Sequence, residues 1–435
     1  MNSMRDKQQG ATNAASIHAM PRTTLANRFA DVRRTTVELC RPLTLDDYGL
    51  QAMPDTSPPK WHLAHTSWFF ETFLLKVFLP NYRSFHPQFE YLFNSYYEQV
   101  GAQFPRAQRG LLSRPSVEEV MRYRAQVDDA MTTLLPSVDQ AHWSEVSSRT
   151  LLGCHHEEQH QELLLTDIKY SFAINPLRPA YRMDLPATPT EQAVAVDWIE
   201  YPGGIGEIGH AGNDFAFDNE YPRHRVLIVD YTLASRLASN GEYLEFIEAG
   251  GYLRPEYWLA DGWRTVNERR WQAPLYWENI DGRWWHYTLA GMQPLNEYEP
   301  VCHVSYYEAD AFSRWAGKRL PSEAEWEVAA QKQKAAGNLR ETDYLRPTVA
   351  AFSSEPAQLF GDVWEWTSSA YTSYPGYRPA AGALGEYNGK FMVNQLVLRG
   401  GSCVTSAGHI RASYRNFFYP ADRWQFSGLR FAADV

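Results

Sequence analysis

Apolar positions in the first 175 residues recur at helical intervals. Leu25, Phe29, Val32 and Leu39 are spaced four, three and seven apart, which keeps them on one face of a helix. A second stripe of Trp61, His65, Trp68 and Leu75 follows Pro58-Pro59 and predicts a helix from Trp61 towards Leu79. A third predicted helix opens at Pro115-Ser116, where Glu119 completes a capping-box signature, and continues through Val120, Tyr123, Val127, Met131 and Leu134. The fourth covers Leu151 to Phe172. Four amphipathic helices with a long connection over residues 80–115 predict a four-helix bundle with one extended crossover loop.

The texture then changes. Residues 175–196 are rich in Pro and Ala (Pro176, Pro179, Pro186, Pro189) and read as a linker. Beyond them, short apolar runs such as Arg225–Tyr231 alternate with Gly pairs at 203–204, 250–251 and 400–401, the pattern of a loop-rich α+β domain. The predicted organisation is a disordered tail over 1–22, a helical domain over 23–175, a linker over 176–196 and an α+β domain over 197–435. A chain of 435 residues is longer than one core usually serves, which agrees with two domains.

Composition narrows the function classes. Hydrophobic residues at 44% and charged residues at 21% describe a globular chain. A net charge of −10 with no basic cluster argues against a nucleic-acid partner. No run reaches the roughly 18–20 apolar residues of a membrane span, the polar start has no secretory h-region, and Cys40, Cys154, Cys302 and Cys403 are scattered without a pairing pattern. A cytoplasmic protein is expected. Aromatic residues at 14% are either core bulk or the lining of a pocket for a cationic ligand.

The sharpest chemical signal is His155-His156-Glu157-Glu158-Gln159-His160. His156 and His160 lie four apart, so both project from one helix face, into the bundle with Leu152 and Leu163. Buried imidazoles need partners for their nitrogens, and a metal or backbone carbonyls would supply them. His-Glu-x-x-His is also the zinc protease motif, with Glu157 as general base, but no third ligand follows at the downstream spacing of those enzymes. An upstream cluster offers His65 on the inward stripe, with His62 on a different face beside Phe69 and Phe73. Three imidazoles leave coordination positions open for substrates and oxygen. On the crossover loop, Tyr96-Tyr97 are either packing or a proton-donating phenol, and Arg106 and Arg109 are either solvated charges or a carboxylate clamp.

These residues carry a family resemblance. Pro54 to Thr66, the Tyr96-Tyr97 loop and His156-Glu157-x-x-His160-Gln161-Glu162-Leu163 resemble the DinB-type helical domain of ergothioneine sulfoxide synthases. Asn219 to His224, Lys318 to Glu327, Phe360 to Trp366 and Leu398 to Ser402 resemble the formylglycine-generating-enzyme fold, a C-type-lectin-like scaffold. The resemblance implies Fe(II) on His65, His156 and His160, with O2 as co-substrate. It implies a thiol joined to the imidazole of hercynine, with Gln159 orienting that imidazole and Tyr96 or Tyr97 as the catalytic phenol. Phe417 and Phe418 would face the trimethylammonium group, and Asp55, Arg106, Arg109 and Arg423 complete the candidate substrate contacts.

Two departures bear on what carries over. Formylglycine-generating enzymes use a pair of nearby cysteines, and Cys403 has no companion close in sequence. Synthases that use γ-glutamylcysteine place an acidic residue where this chain has Phe418, which points to a compact donor such as cysteine. A selenoneine synthase using a selenosugar, an ovothiol-type enzyme acting on histidine, and a zinc DinB-like thiol transferase are the alternatives.

Overall fold

The computed structural model describes residues 20–189, 194–353 and 355–435. The expected tail therefore lies, up to residue 19, outside the described residues, as do 190–193 of the expected linker.

Four long helices form the first half: α1 (Arg22–Cys40), α2 (Pro59–Phe70), α3 (Val117–Ser137) and α4 (Gln140–Ala173). Proline at its first turn starts α2, since a missing N–H costs nothing there. Every residue of α2 is buried, and the helix runs on through a π-helical turn (Glu71–Leu75) to Phe78. Ser116 caps α3, accepting from the Glu119 amide while the Glu119 side chain accepts from the Ser116 amide, as the sequence predicts. Helix α4 starts at Gln140, eleven residues before the predicted Leu151, with the Asp139 side chain as its cap. Its added turns bury Trp143, Val146, Ser147 and Thr150, a stripe half made of small polar residues that hides the helical period.

The second half mixes short strands and helices. Strands β1 (Trp198–Tyr201), β4 (Tyr231–Ala234) and β12 (Ala432–Asp434) form an antiparallel sheet in the order β1-β4-β12, so the C-terminus ties back to the start of the domain. Two hairpin sheets follow in sequence, one of β2 (Gly204–Ile208) with β3 (His224–Ile228) and one of β5 (Trp277–Ile280), β6 (Arg283–Thr288) and β7 (Gly291–Pro294). The fourth sheet has the order β10-β9-β8-β11, from β8 (Trp364–Ala370), β9 (Leu396–Arg399), β10 (Asn416–Phe418) and β11 (Ser427–Gly428). Its core includes the buried ion pairs Arg430–Glu365 and Arg399 with Glu323 and Glu327, each a charge whose partner must stay in place. No helix among the described residues is long and apolar enough to cross a membrane.

The two halves meet along α4. Glu162 accepts hydrogen bonds from Trp364, Ser402 and Thr405 of the second domain, and Gln159 is bonded to Tyr387 and Tyr414. The helix that carries the histidine pair is thus also the floor on which the second domain sits.

Candidate metal and substrate site

His65 projects from α2 between two indoles, stacked on Trp61 at 4.5 Å and on Trp68 at 5.5 Å. Its Nδ1 lies 2.6 Å from the Phe93 carbonyl. A carbonyl only accepts, so the ring proton is on Nδ1 and the Nε2 lone pair faces inward. There it meets His156 Nε2 at 3.2 Å. His160, one turn along α4, completes a triangle of rings with centroids 4.6–4.9 Å apart. One nitrogen from each lies within 4.8 Å of the others, close enough to share a metal ion. All three rings are buried. Burial, reinforced by mutual repulsion of their cationic forms, holds His65 and His160 well below the ordinary histidine value. Burial likewise takes His156 down to about 3. The imidazoles are therefore neutral and present lone pairs, which a metal needs.

His62 has a role that the sequence stripe does not reveal. It and His65 are three residues apart, about 60° around the helix, so both reach α4. His62 Nε2 lies 3.0 Å from the Asp167 carboxylate and its Nδ1 lies 2.8 Å from His160 Nδ1. Asp167 accepts the Nε2 proton, so His62 Nδ1 must accept from His160 Nδ1–H, and His160 Nε2 is left bare towards His65 and His156. The chain Asp167–His62–His160 thus selects the tautomer in which His160 could take a metal, as outer-shell partners of metal sites do. Asp167→Ala is expected to lower metal affinity about 10–100-fold while the fold persists. Metal titration alongside circular dichroism checks this; unchanged affinity would remove the relay.

Glu157 turns the other way. It accepts from Thr36 Oγ1 at 2.6 Å and from Arg33 at 3.0 Å, and pairs with Arg124. Burial raises its pKa, but Arg124 and Arg33 outweigh that and bring it down to about 2. A carboxylate so locked cannot swing to the histidines as a protease base. The zinc protease reading of His-Glu-x-x-His loses its catalytic group.

Around the triangle lie phenols. Tyr387 donates to Gln159 Oε1 and stands edge-on to His156, centroids 5.7 Å apart. Gln159 in turn donates to Tyr414 Oη at 2.6 Å, and Tyr414 meets His409 Nε2 at 3.0 Å. His409 lies against His155, which is held by Glu158 and Arg28, so His155 faces the second domain and not the triangle. Tyr96 and Tyr97 stack at 4.7 Å. Tyr97 packs against Trp68 and Phe73, and its buried hydroxyl has no partner among the described residues. Tyr96 packs against Tyr387 and Phe391. Burial raises the pKa of Tyr96, Tyr97 and Tyr387, so all three stay protonated.

The remaining candidates divide. Arg109 is buried, lies 3.4 Å over the Trp61 ring and meets only the hydroxyls of Ser57 and Ser95. Burial, with Arg106 nearby, lowers its pKa to about 8, a cation with no carboxylate bonded to it among the described residues. Arg106 bonds the Asp55 carbonyl at the surface, and both lie near Asp422. Phe417 stacks on Tyr371 at 4.0 Å and neighbours Phe391. Phe418 meets Trp424, and Arg423 is bound to Glu308 and lies over Trp271, so neither contacts the triangle. Sequence reasoning missed Asp167, Tyr387, Tyr414 and His409. Asp167 follows His160 by seven residues and was legible as lying two turns on along the same face; the other three sit in irregular segments with no period to read.

Comparison with known proteins agrees with this architecture. Residues 28–164 match the DinB superfamily, and 185–356 with 348–435 match the sulfatase-modifying factor enzyme 1-like domain. The hercynine oxygenase of Mycolicibacterium thermoresistibile is 32% identical over 448 aligned residues, covering 95% of each chain. That of Mycolicibacterium smegmatis is 31% identical and covers 95% of this chain and 99% of its own. Ergothioneine biosynthesis protein 1 of Schizosaccharomyces pombe is 28% identical over 229 residues, half of this chain and 27% of its own. With a DinB helical domain joined to a C-type-lectin-like domain and full-length similarity at this level, the chain belongs to the hercynine oxygenase family of oxygen-dependent oxidoreductases.

Proposed function

We propose that the protein joins the sulfur of a cysteine-type thiol to the imidazole of hercynine, using O2 and an Fe(II) ion held by His65, His156 and His160, within ergothioneine biosynthesis. The overall balance is thiol plus imidazole C–H plus O2 giving sulfoxide plus water. The observation that carries the reading is the triangle of neutral imidazoles, two of them with the bare nitrogen set by Phe93 and by His62–Asp167. Fe(II) bound there would supply redox electrons and open positions at which thiolate and imidazole are brought together. Gln159, fixed between Tyr387 and Tyr414, orients the incoming ring. The uncompensated guanidinium of Arg109 receives a substrate carboxylate. Protonated phenols beside the triangle supply a proton as oxygen is reduced. The four free, buried cysteines support a reducing, cytoplasmic setting.

The test is aerobic incubation of the Fe(II) protein with hercynine and equal concentrations of cysteine, γ-glutamylcysteine and a selenosugar, with mass spectrometry of products. A cysteine-derived sulfoxide is expected. A preference for γ-glutamylcysteine would overturn the inference from Phe418, and exclusive use of the selenosugar would keep the site and change the element. In the same assay, replacing the donating member of the Tyr96-Tyr97 pair by Phe keeps the metal and diverts oxidation to the thiol, raising the ratio of sulfinate to sulfoxide at least about tenfold. Unchanged products in both Tyr96→Phe and Tyr97→Phe would take the role from that pair.

A further inference from the structure

Two and a half turns beyond His160, α4 sends Lys169 into the junction with the second domain. The side chain is buried. Its ammonium donates to His303 Nε2 at 2.7 Å and lies over the rings of Phe426 at 4.6 Å and Tyr276 at 4.9 Å. No carboxylate of the described residues pairs with it. The acidic groups that act on it are the thiols of Cys302 and Cys403; burial pushes both up, Cys302 to about 12, so they bring no negative charge. Glu299, on the wall of the same cavity, already has a cation in Arg346 at 3.9 Å. Burial lowers Lys169 to about 8, which still leaves most of it charged at neutral pH.

Lys169 faces a small, partly enclosed cavity of about 20 Å³, also lined by Tyr276, His286, Glu299, Cys302 and His303. The walls carry donors that lack acceptors, and their one carboxylate, Glu299, is engaged by Thr188 and Arg346. Because Lys169 donates to His303 Nε2, the His303 proton is on Nδ1, beside the backbone carbonyls of Trp424 and Gln425. The Tyr276 hydroxyl is buried and unpartnered, as is His286 Nε2, which donates in one of its two tautomers. Tyr276 and His303 also hold left-handed backbone, with φ of 76° and 65°, a conformation that non-glycine residues keep where their surroundings impose it, often at ligand clamps.

We infer that this cavity binds a small monovalent inorganic anion of halide size, which neutralises Lys169 and accepts from the Tyr276 hydroxyl. A water molecule would satisfy donors but leave the buried ammonium without a counter-charge. Phosphate, sulfate or an organic carboxylate exceeds the space, which holds about one or two water-sized particles. Since Lys169 comes from the helical domain and the other walls from the second domain, the anion would strengthen the seam between them. It would do so independently of the histidine triangle.

The experiment uses the full chain with its metal, melted in sodium chloride, bromide or gluconate at constant ionic strength, together with a bromide-soaked crystal. Halides are expected to raise the melting temperature by about 2–4 °C over gluconate, and an anomalous bromine peak is expected in the cavity. Lys169→Met is expected to lose this halide dependence. Should that variant fail to fold, Tyr276→Phe keeps the charge, removes one donor and is expected to move the halide midpoint about tenfold higher. Equal melting in halide and gluconate, no anomalous peak in the cavity, or full halide dependence in Lys169→Met would each overturn the assignment.

Discussion

Alanine at His65, His156 or His160 is expected to strip the protein of its metal, each change costing more affinity than the about 10–100-fold typical of an outer-shell partner. Sulfoxide formation should fall below detection in all three. The expectation follows from geometry: three buried, neutral imidazoles each bring a nitrogen within 4.8 Å of the others, and removing one leaves two in a pocket where water is a poor substitute. The controls are set by the same structure. His155→Ala should keep its metal, because that ring bonds His409 across the domain seam and Glu158 on its own helix. His62→Ala should fall between, since His62 is bonded to His160 and Asp167 and turns no free nitrogen to the triangle. Metal content by elemental analysis and affinity by titration rank the five variants. Full metal retention in His65→Ala, or complete loss in His155→Ala, would break the ligand assignment.

Arg124→Met is expected to destabilise the helical domain by about 3–5 kcal/mol, the usual cost of leaving a buried charge without its partner. Glu157 is fully buried, and Arg124 is one of two guanidiniums that hold it. The sign of the pH dependence follows from the depressed pKa. The carboxylate titrates near 4.5 when unfolded and at about 2 when folded, so its stabilisation is complete above 4.5 and is lost as pH falls from there towards 2. In Arg124→Met the folded pKa moves back up towards 4.5, so that acid-induced loss should be smaller. Chemical denaturation at neutral pH and an acid titration followed by circular dichroism give both numbers. Wild-type stability in the variant would show that Arg33 alone suffices.

How much of this was legible in the sequence varied with the kind of signal. The Ser116–Glu119 box and the apolar stripes of α1 and α3 stand out because each is a local rule of helix chemistry. The first three turns of α4 did not, since Ser147 and Thr150 fill inward positions where the pattern expects aliphatic residues. Helix α2 gave the right start, but a helix buried on every side has no polar face to contrast with its apolar one, so a choice of one stripe displaced His62 from the site. The i, i+4 histidines were readable for the same reason as the caps. Tyr387 and Tyr414 were not, because they reach Gln159 over 228 and 255 residues of chain and no periodicity spans such distances.

That long reach has a consequence for heredity. Gln159 is gripped by two side chains encoded far downstream, so a change at 159 alters what is tolerated at 387 and 414, and the reverse. The helical and lectin-like segments should therefore not be freely exchanged by recombination among relatives. Chimaeras that join one relative's first half to another's second half should fold where Glu162 still finds its hydroxyl partners, yet turn over only when these three positions come from the same parent. Across the family the three positions should change together, as one inherited character written in two domains.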